Sequence, residues 1–142
     1  MQAAATASIG PGVSEALASE RRAAFQDVRY DLRIIVPSDR KEPVRGRVAV
    51  RLRLKAPHRV VFDFAQPPDH IARVVVNGRE SRPRIADGHL VVTAEQTIAG
   101  ANEIEIEFVS GDEALNRDDE FLYTLFVPSR AQLAFPCFDS PI

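Results

Sequence analysis

The sequence has no tryptophan, one methionine, two lysines and one cysteine among its 142 residues. A single thiol, Cys137, excludes an internal disulfide and an all-thiolate metal site. The three histidines, His58, His70 and His89, fall at no spacing that forms a His-Glu-x-x-His helix or another ligand set. There is no Gly-rich phosphate loop and no Gly-x-Ser-x-Gly string. No apolar run approaches the ~20 residues a membrane-spanning helix needs. The formal charge is −2, a balance that argues against nucleic acid as the main partner, because phosphate binding needs clustered positive charge. Seven glycines and ten prolines are too few for a collagen-like or disordered chain. If the protein serves an enzyme, its chemistry is expected to lie in another part of that enzyme.

The remaining composition is that of one globular domain: 45% hydrophobic and 27% charged residues. Residues 1–12 are small and patternless and read as a flexible tail. They carry no basic stretch or long apolar core, so they do not form an intact signal peptide. Their alanine content inclines the reading toward an extracytoplasmic location, periplasmic or secreted. Residues 14–25 read as one short helix. Ser14 can cap it; Glu15 and Glu20 come early, and Arg21 and Arg22 late, as the helix dipole favours. Leu17, Ala24 and Phe25 supply a thin apolar stripe, so the helix must dock to persist.

From residue 26 the hydrophobic period becomes two. Val28, Tyr30, Leu32, Ile34 and Val36 alternate with Arg29, Asp31 and Arg33, which predicts a half-buried strand. Val48, Val50, Leu52 and Leu54 form a second apolar face, with Arg45, Arg47, Arg51, Arg53 and Lys55 outside it. This basic stripe is read as a solvated face rather than a surface for nucleic acid or anionic lipid. Ile104, Ile106 and Phe108 alternate with Glu103, Glu105 and Glu107. Side by side, these two strands would set arginines against glutamates, each pair contributing roughly 0.2–1 kcal/mol and all of them fixing register. Shorter apolar runs follow at residues 59–64, 71–76, 89–93 and 122–127. Asn77-Gly78 and Asp87-Gly88 mark tight hairpins, because a type I′ turn needs positive φ at both central positions. About eight short strands and one leading helix predict a mainly β chain, an antiparallel β-sandwich.

Few residues carry chemistry. Asp112, Glu113, Asp118, Asp119 and Glu120 share a loop, but the spacing fits no calcium-binding loop, and a solvated loop is the reading. The histidines are read as surface or hydrogen-bonded groups. Cys137 sits among apolar neighbours, which makes a buried, inert thiol.

Two strings remain: Tyr123-Thr124-Leu125-Phe126-Val127-Pro128, and Ala134-Phe135-Pro136-Cys137-Phe138-Asp139-Ser140-Pro141. Together they resemble the end of the amino-terminal domain of the aminopeptidase N family of zinc metallopeptidases, the gluzincin aminopeptidases. Other features agree in order: Asp-Val-Arg-Tyr-Asp-Leu at residues 27–32, Gly46 opening the second strand, Asp63 ending an apolar strand, Asn77-Gly78, and Gly100 with Asn102 before the Ile/Glu strand. The resemblance runs over residues 13–141, and the Phe-Pro-Cys-Phe-Asp-x-Pro string is its specific part.

The resemblance implies a saddle-like β-domain over residues 13–142 that stops short of its last strands. The thermolysin-like domain with the catalytic zinc would lie beyond it. This chain would then hold no cofactor, and its partners would be its own catalytic domain and, in the whole enzyme, a peptide. The substrate-cleft face would include Tyr123, Leu125, Phe126 and Val127. Family members commonly place a glutamine at the position of Leu125, where it holds the peptide's free amino group; leucine offers no acceptor for that bond. A stand-alone β-sandwich binding or adhesion module is the alternative reading. A missing last strand would also leave a sheet edge open to self-association.

Overall fold

The computed structural model describes residues 6–111, 115–117, 122–124 and 131–139. One helix, α1 (Glu15–Ala24), is followed by strands β1 (Phe25–Ile35), β2 (Arg45–Leu54), β3 (Val60–Asp63), β4 (Ile71–Val76) and β5 (Arg79–Ser81). Then come β6 (Arg84–Ala86), β7 (His89–Val92), β8 (Gly100–Val109), β9 (Leu115–Arg117) and β10 (Leu122–Thr124). A five-stranded antiparallel sheet runs β1-β2-β8-β4-β5, and a three-stranded one runs β3-β7-β6. β9 and β10 form a separate two-stranded ribbon. The chain is mainly β, as the alternating pattern predicts.

The core lies between the two larger sheets. Val48, Val50, Leu52 and Leu54 of β2 join Ile104, Ile106 and Phe108 of β8 and Val74 and Val76 of β4. Val60, Phe62 and Phe64 meet them from the β3 side, and Leu90 and Val92 from β7. The polar parity of β2 and β8 faces outward. There Arg51 lies opposite Glu103 and Arg47 opposite Glu107. Arg51 Nε donates to Glu103 at 2.9 Å, and Arg47 reaches diagonally to Glu105 at 2.8 Å. The basic stripe thus runs against an acidic one. A one-residue slip would drive these charges inward, so the ladder fixes register more than it adds stability.

The tight turns form as their residues require. Asn77 and Gly78 have φ of 50° and 81°, and Asp87 and Gly88 have 52° and 76°. They join β4 to β5 and β6 to β7. The short strands β5, β6 and β9 were not separated from turns by the hydrophobic pattern, because three residues are too few to show a period.

β1 departs from expectation. Val28, Tyr30 and Val36 were expected inside, yet they are 37%, 43% and 45% exposed; only Leu32 and Ile34 are half-buried. Two causes are visible. β1 is the edge strand of its sheet, so its far side has no neighbour. The pairing with β2 also shifts register between Gln26 and Arg29, where Asp27 has φ of 53°. That bulge interrupts the alternation, so Val28 is exposed while Phe25, ahead of the bulge, packs against the core.

Gly46 shows why one glycine is needed inside a strand. It sits opposite Phe108 of β8. A Cβ at this position would lie 2.8 Å from Cε2 and 3.0 Å from Cε1 of the Phe108 ring, and nearer still to Cζ. Phe108 is 2% exposed and packs edge-on against Phe64, so the ring has little room to yield. Gly46→Ala should destabilise the domain by about 1–3 kcal/mol through overpacking. Urea denaturation checks this, and a variant as stable as the parent would mean the ring moves freely.

Candidate functional site

The outer side of β3 holds a buried ionic cluster. β3 is buried at all four positions, so Val61 and Asp63 are covered as well as Val60 and Phe62. α1 lies against this side, and two of its charged residues point inward. Arg21 is 5% exposed and Asp63 1%. The Arg21 guanidinium grips Asp63 with both terminal nitrogens: Nη1 to Oδ2 at 2.8 Å and Nη2 to Oδ1 at 2.6 Å. Nη2 also donates to the Val61 carbonyl at 2.7 Å. His89 Nδ1 donates to Asp63 Oδ1 at 3.0 Å. The Asp139 amide donates to Oδ2 at 2.8 Å. Four donors on one carboxylate satisfy its acceptor capacity, the condition under which a buried charge is tolerated.

His89 extends the cluster to the amino end. Its Nε2 lies 2.9 Å from the Gly10 carbonyl and 2.8 Å from that of Gly12. Both ring nitrogens therefore lie within hydrogen-bond distance of acceptor oxygens, which fixes the plane of the ring. A second buried carboxylate, Glu20, does the same job one residue along α1. It accepts from His58 Nε2 at 2.9 Å, from Arg59 Nε at 3.0 Å and from the Ala7 amide at 2.6 Å. Arg59 also donates to the Ala7 carbonyl. The stretch expected as a flexible tail thus meets the domain at Ala7, Gly10 and Gly12.

The Glu20 carboxyl has a consequence for pH. Burial alone would raise it, but hydrogen bonds from Arg59, the Ala7 amide and His58 outweigh burial and hold it below its ordinary value. A carboxylate lowered on folding stabilises the fold above its unfolded value and loses that contribution as pH falls through its folded value. Wild type should therefore lose stability relative to Glu20→Gln as pH drops below about 4.5. Denaturation midpoints of the two proteins, compared from pH 6 to pH 3, check this. The comparison isolates Glu20 from Asp139, whose carboxyl is pushed the other way by burial and by Asp63.

The Phe-Pro-Cys-Phe-Asp string is built into the same cluster. Cys137 bridges to Asp63 as an added strand residue: Asp63 N donates to its carbonyl at 2.6 Å, and its own amide donates back at 3.1 Å. The Phe138 ring stacks on Phe62 at 4.8 Å and lies 4.9 Å from Phe25, with the Arg21 guanidinium 5.2 Å from its centroid. The Phe138 amide donates to the Tyr30 hydroxyl at 3.1 Å. The Cys137 thiol is buried, and burial together with Asp63 and Asp139 pushes it up, so it is a poor nucleophile. His58 and His89 are both buried and hydrogen-bonded, while His70 is half-buried with Nδ1 3.0 Å from the Val109 carbonyl.

The residues singled out for a substrate cleft are treated unevenly. Tyr123 lies on β10, opposite Asn116 of β9. Leu125, Phe126 and Val127 lie outside the described residues, as do the five acidic residues weighed for calcium. Beside the ribbon is a cavity of about 530 Å³, lined in part by Arg40, Lys41, His70 and Arg117. Arg117 donates to the carbonyls of Arg40 and Glu42, both at 2.9 Å, and so ties β9 to the segment before β2. Among the described residues, no group of His, Cys, Asp and Glu side chains could hold a metal ion. No helix among them is long and apolar enough to cross a membrane.

Sequence reasoning missed the Asp63 cluster because its members are 26 to 76 residues apart. One signal was present. Glu20 and Arg21 fall between Leu17 and Ala24 at helical spacing, on the apolar stripe itself. Charges on that stripe point to buried partners.

No protein-family profile and no curated protein matches the sequence. Solved structures do. The M1 zinc metallopeptidase from Deinococcus radiodurans aligns with a TM-score of 0.67 and 23% identity, covering 83% of this chain and 30% of that one. A two-domain M1 zinc metallopeptidase mutant bound to L-tryptophan aligns at 0.64 and 23%, covering 83% and 31%. Native yeast LTA4 hydrolase aligns at 0.65 and 18%, covering 84% and 21%. The chain has the fold of one part of the M1 zinc metallopeptidases. It spans less than a third of the length of these enzymes, as a single domain of such a protein does.

Proposed function

We propose that this chain is the amino-terminal, non-catalytic β-domain of a zinc-dependent aminopeptidase, an enzyme that removes amino-terminal residues from peptides. Its part is to wall one side of the substrate cleft. The observation that carries the reading is the likeness of fold over 83% of this chain to about 30% of an M1 zinc metallopeptidase. The Phe-Pro-Cys-Phe-Asp string supports it, because the same residues that carry the resemblance form a built structural element around Asp63. The partner is the enzyme's own catalytic domain, and the face turned toward it is assigned to the β9–β10 ribbon and the strings at residues 123–128 and 131–138. Zinc in such an enzyme supplies a Lewis acid and an activated water. In this reading the zinc belongs to the catalytic domain, and the part of this chain is to wall the cleft.

The test begins with the open reading frame past Ile142. It should continue into a segment containing His-Glu-x-x-His. The extended protein should release amino acids from peptides with a free amino terminus and lose that activity to a zinc chelator, while the 142-residue chain cleaves nothing. A frame that closes without such a segment would favour the stand-alone binding module.

A further inference from the structure

Residues 7–12 are held against α1, the segment before β3, and β7. Among the described residues, every hydrogen bond that holds them uses a main-chain atom of the segment. Glu20 and Arg59 form a two-pronged ion pair, Oε1 to Nη2 at 2.8 Å and Oε2 to Nε at 3.0 Å. Ala7 closes over one prong of it. Its amide donates to Glu20 Oε1 at 2.6 Å, and its carbonyl accepts from Arg59 Nη2. Further on, the Gly10 and Gly12 carbonyls lie 2.9 Å and 2.8 Å from His89 Nε2. The large apolar side chain of the segment, Ile9, joins neither buried cluster, so polar contacts decide whether the segment stays docked. The second anchor has room to pivot. Gly12 has φ of 74°, and a Cβ at Gly10 or Gly12 would meet nothing within 4 Å.

We propose that residues 7–12 form a latch whose Ala7 end opens in acid while its Gly10–Gly12 end stays anchored on His89. The Ala7 clamp depends on the charge of Glu20. That charge orients Arg59, and an ionised carboxylate accepts a hydrogen bond about twice as strong as a neutral group does. Protonation weakens both holds on Ala7 at once. The groups facing Glu20 are Arg59 and His58, from the segment between β2 and β3, and the Ala7 amide; Arg21, beside it on α1, turns to Asp63 instead. Burial would raise the Glu20 carboxyl, but hydrogen bonds from Arg59, the Ala7 amide and His58 hold it below its ordinary value. The Ala7 bond is one of those that lower it. Docking is therefore favoured above the undocked value and loses that support as pH falls through the docked one. The other anchor answers differently. Asp63 faces the second ring nitrogen of His89, and a protonated imidazole carries a hydrogen on each nitrogen, so acid leaves the hold on the two carbonyls in place. The result is a chain whose sheets stay folded while the residues ahead of Gly10 swing free. This inference uses the Glu20 site alone and stands apart from the enzyme reading.

Backbone ¹⁵N relaxation of the 142-residue chain, followed from pH 7 to pH 3, tests it, with the amides of β2 and β8 as the internal reference. At pH 7 the order parameters of residues 7–12 should be near the rigid value of about 0.85. As pH falls below about 4.5, those of Ala7, Ser8 and Ile9 should drop below about 0.6, while Gly12 and the two strands keep theirs. Ala7→Pro removes the amide donor without touching α1 or the core. In that variant Ser8 and Ile9 should already be mobile at pH 7 and change little on acidification, with β2 and β8 unaltered. The proposal is overturned by a wild-type segment that is mobile at pH 7 or stays rigid to pH 3. It is equally overturned if segment and strands lose order at the same pH, or if Ala7→Pro leaves Ser8 and Ile9 as rigid as in the wild type.

Discussion

Asp63→Ala should cost the domain about 3–5 kcal/mol, the usual consequence of removing one partner of a buried ion pair. The loss is not that of one contact. Arg21 would remain buried and charged without its counter-ion, His89 would lose its carboxylate contact, and the Asp139 amide would lose its acceptor. Urea or guanidinium denaturation reads the effect. A double-mutant cycle separates pairing from burial: Arg21→Met with Asp63→Leu should cost clearly less than the two single losses added together, because neither charge is then stranded. A loss below about 1 kcal/mol for Asp63→Ala would mean that the cluster is hydrated and carries little of the fold.

The second large effect is expected at Phe138. Its ring contacts Phe62 and Phe25 and lies beneath the Arg21 guanidinium, so it ties the carboxyl-terminal string to β3, β1 and α1 at once. Phe138→Ala should cost about 3 kcal/mol, at the lower end for a large-to-small aromatic change because the ring is half-buried. Phe138→Leu should recover part of this. The Phe138 and Asp63 losses should not add, because Asp139, one residue on, is placed by both. Full additivity in the combined variant would separate the string from the ionic cluster.

What could be read in the sequence, and what could not, divides by range. Strands β2 and β8 carry alternation through Val48–Leu54 and Glu103–Phe108, broken only at Ala49, and their buried positions follow it. Ser14 caps α1 through a 3.0 Å bond to the Leu17 amide, and both Gly-containing hairpin turns take positive φ where expected. These are local decisions made by neighbours. β1 has equally good alternation, but burial depends on having a strand on each side, and the pattern carries no record of edge position. The Asp63 cluster is less legible still. Its donors come from α1, β7 and the carboxyl-terminal string, brought together only by the final fold. Of the cleft residues read from the resemblance, Tyr123 is placed on a strand, while Leu125, Phe126 and Val127 fall outside the described residues and remain a proposal.

The spread of that cluster along the chain bears on how the protein is made. A ribosome delivers α1, β3 and β7 in turn, and both sheets of the sandwich can assemble once β8 has emerged. Asp63 still waits for the Asp139 amide, 76 residues downstream. Contacts that close over such distances in sequence form late. A nascent chain that has emerged only as far as Val109 would therefore have its two layers packed and its ionic centre unsealed. Quality-control proteases would meet their best opportunity at that stage, before the Asp139 amide reaches the carboxylate.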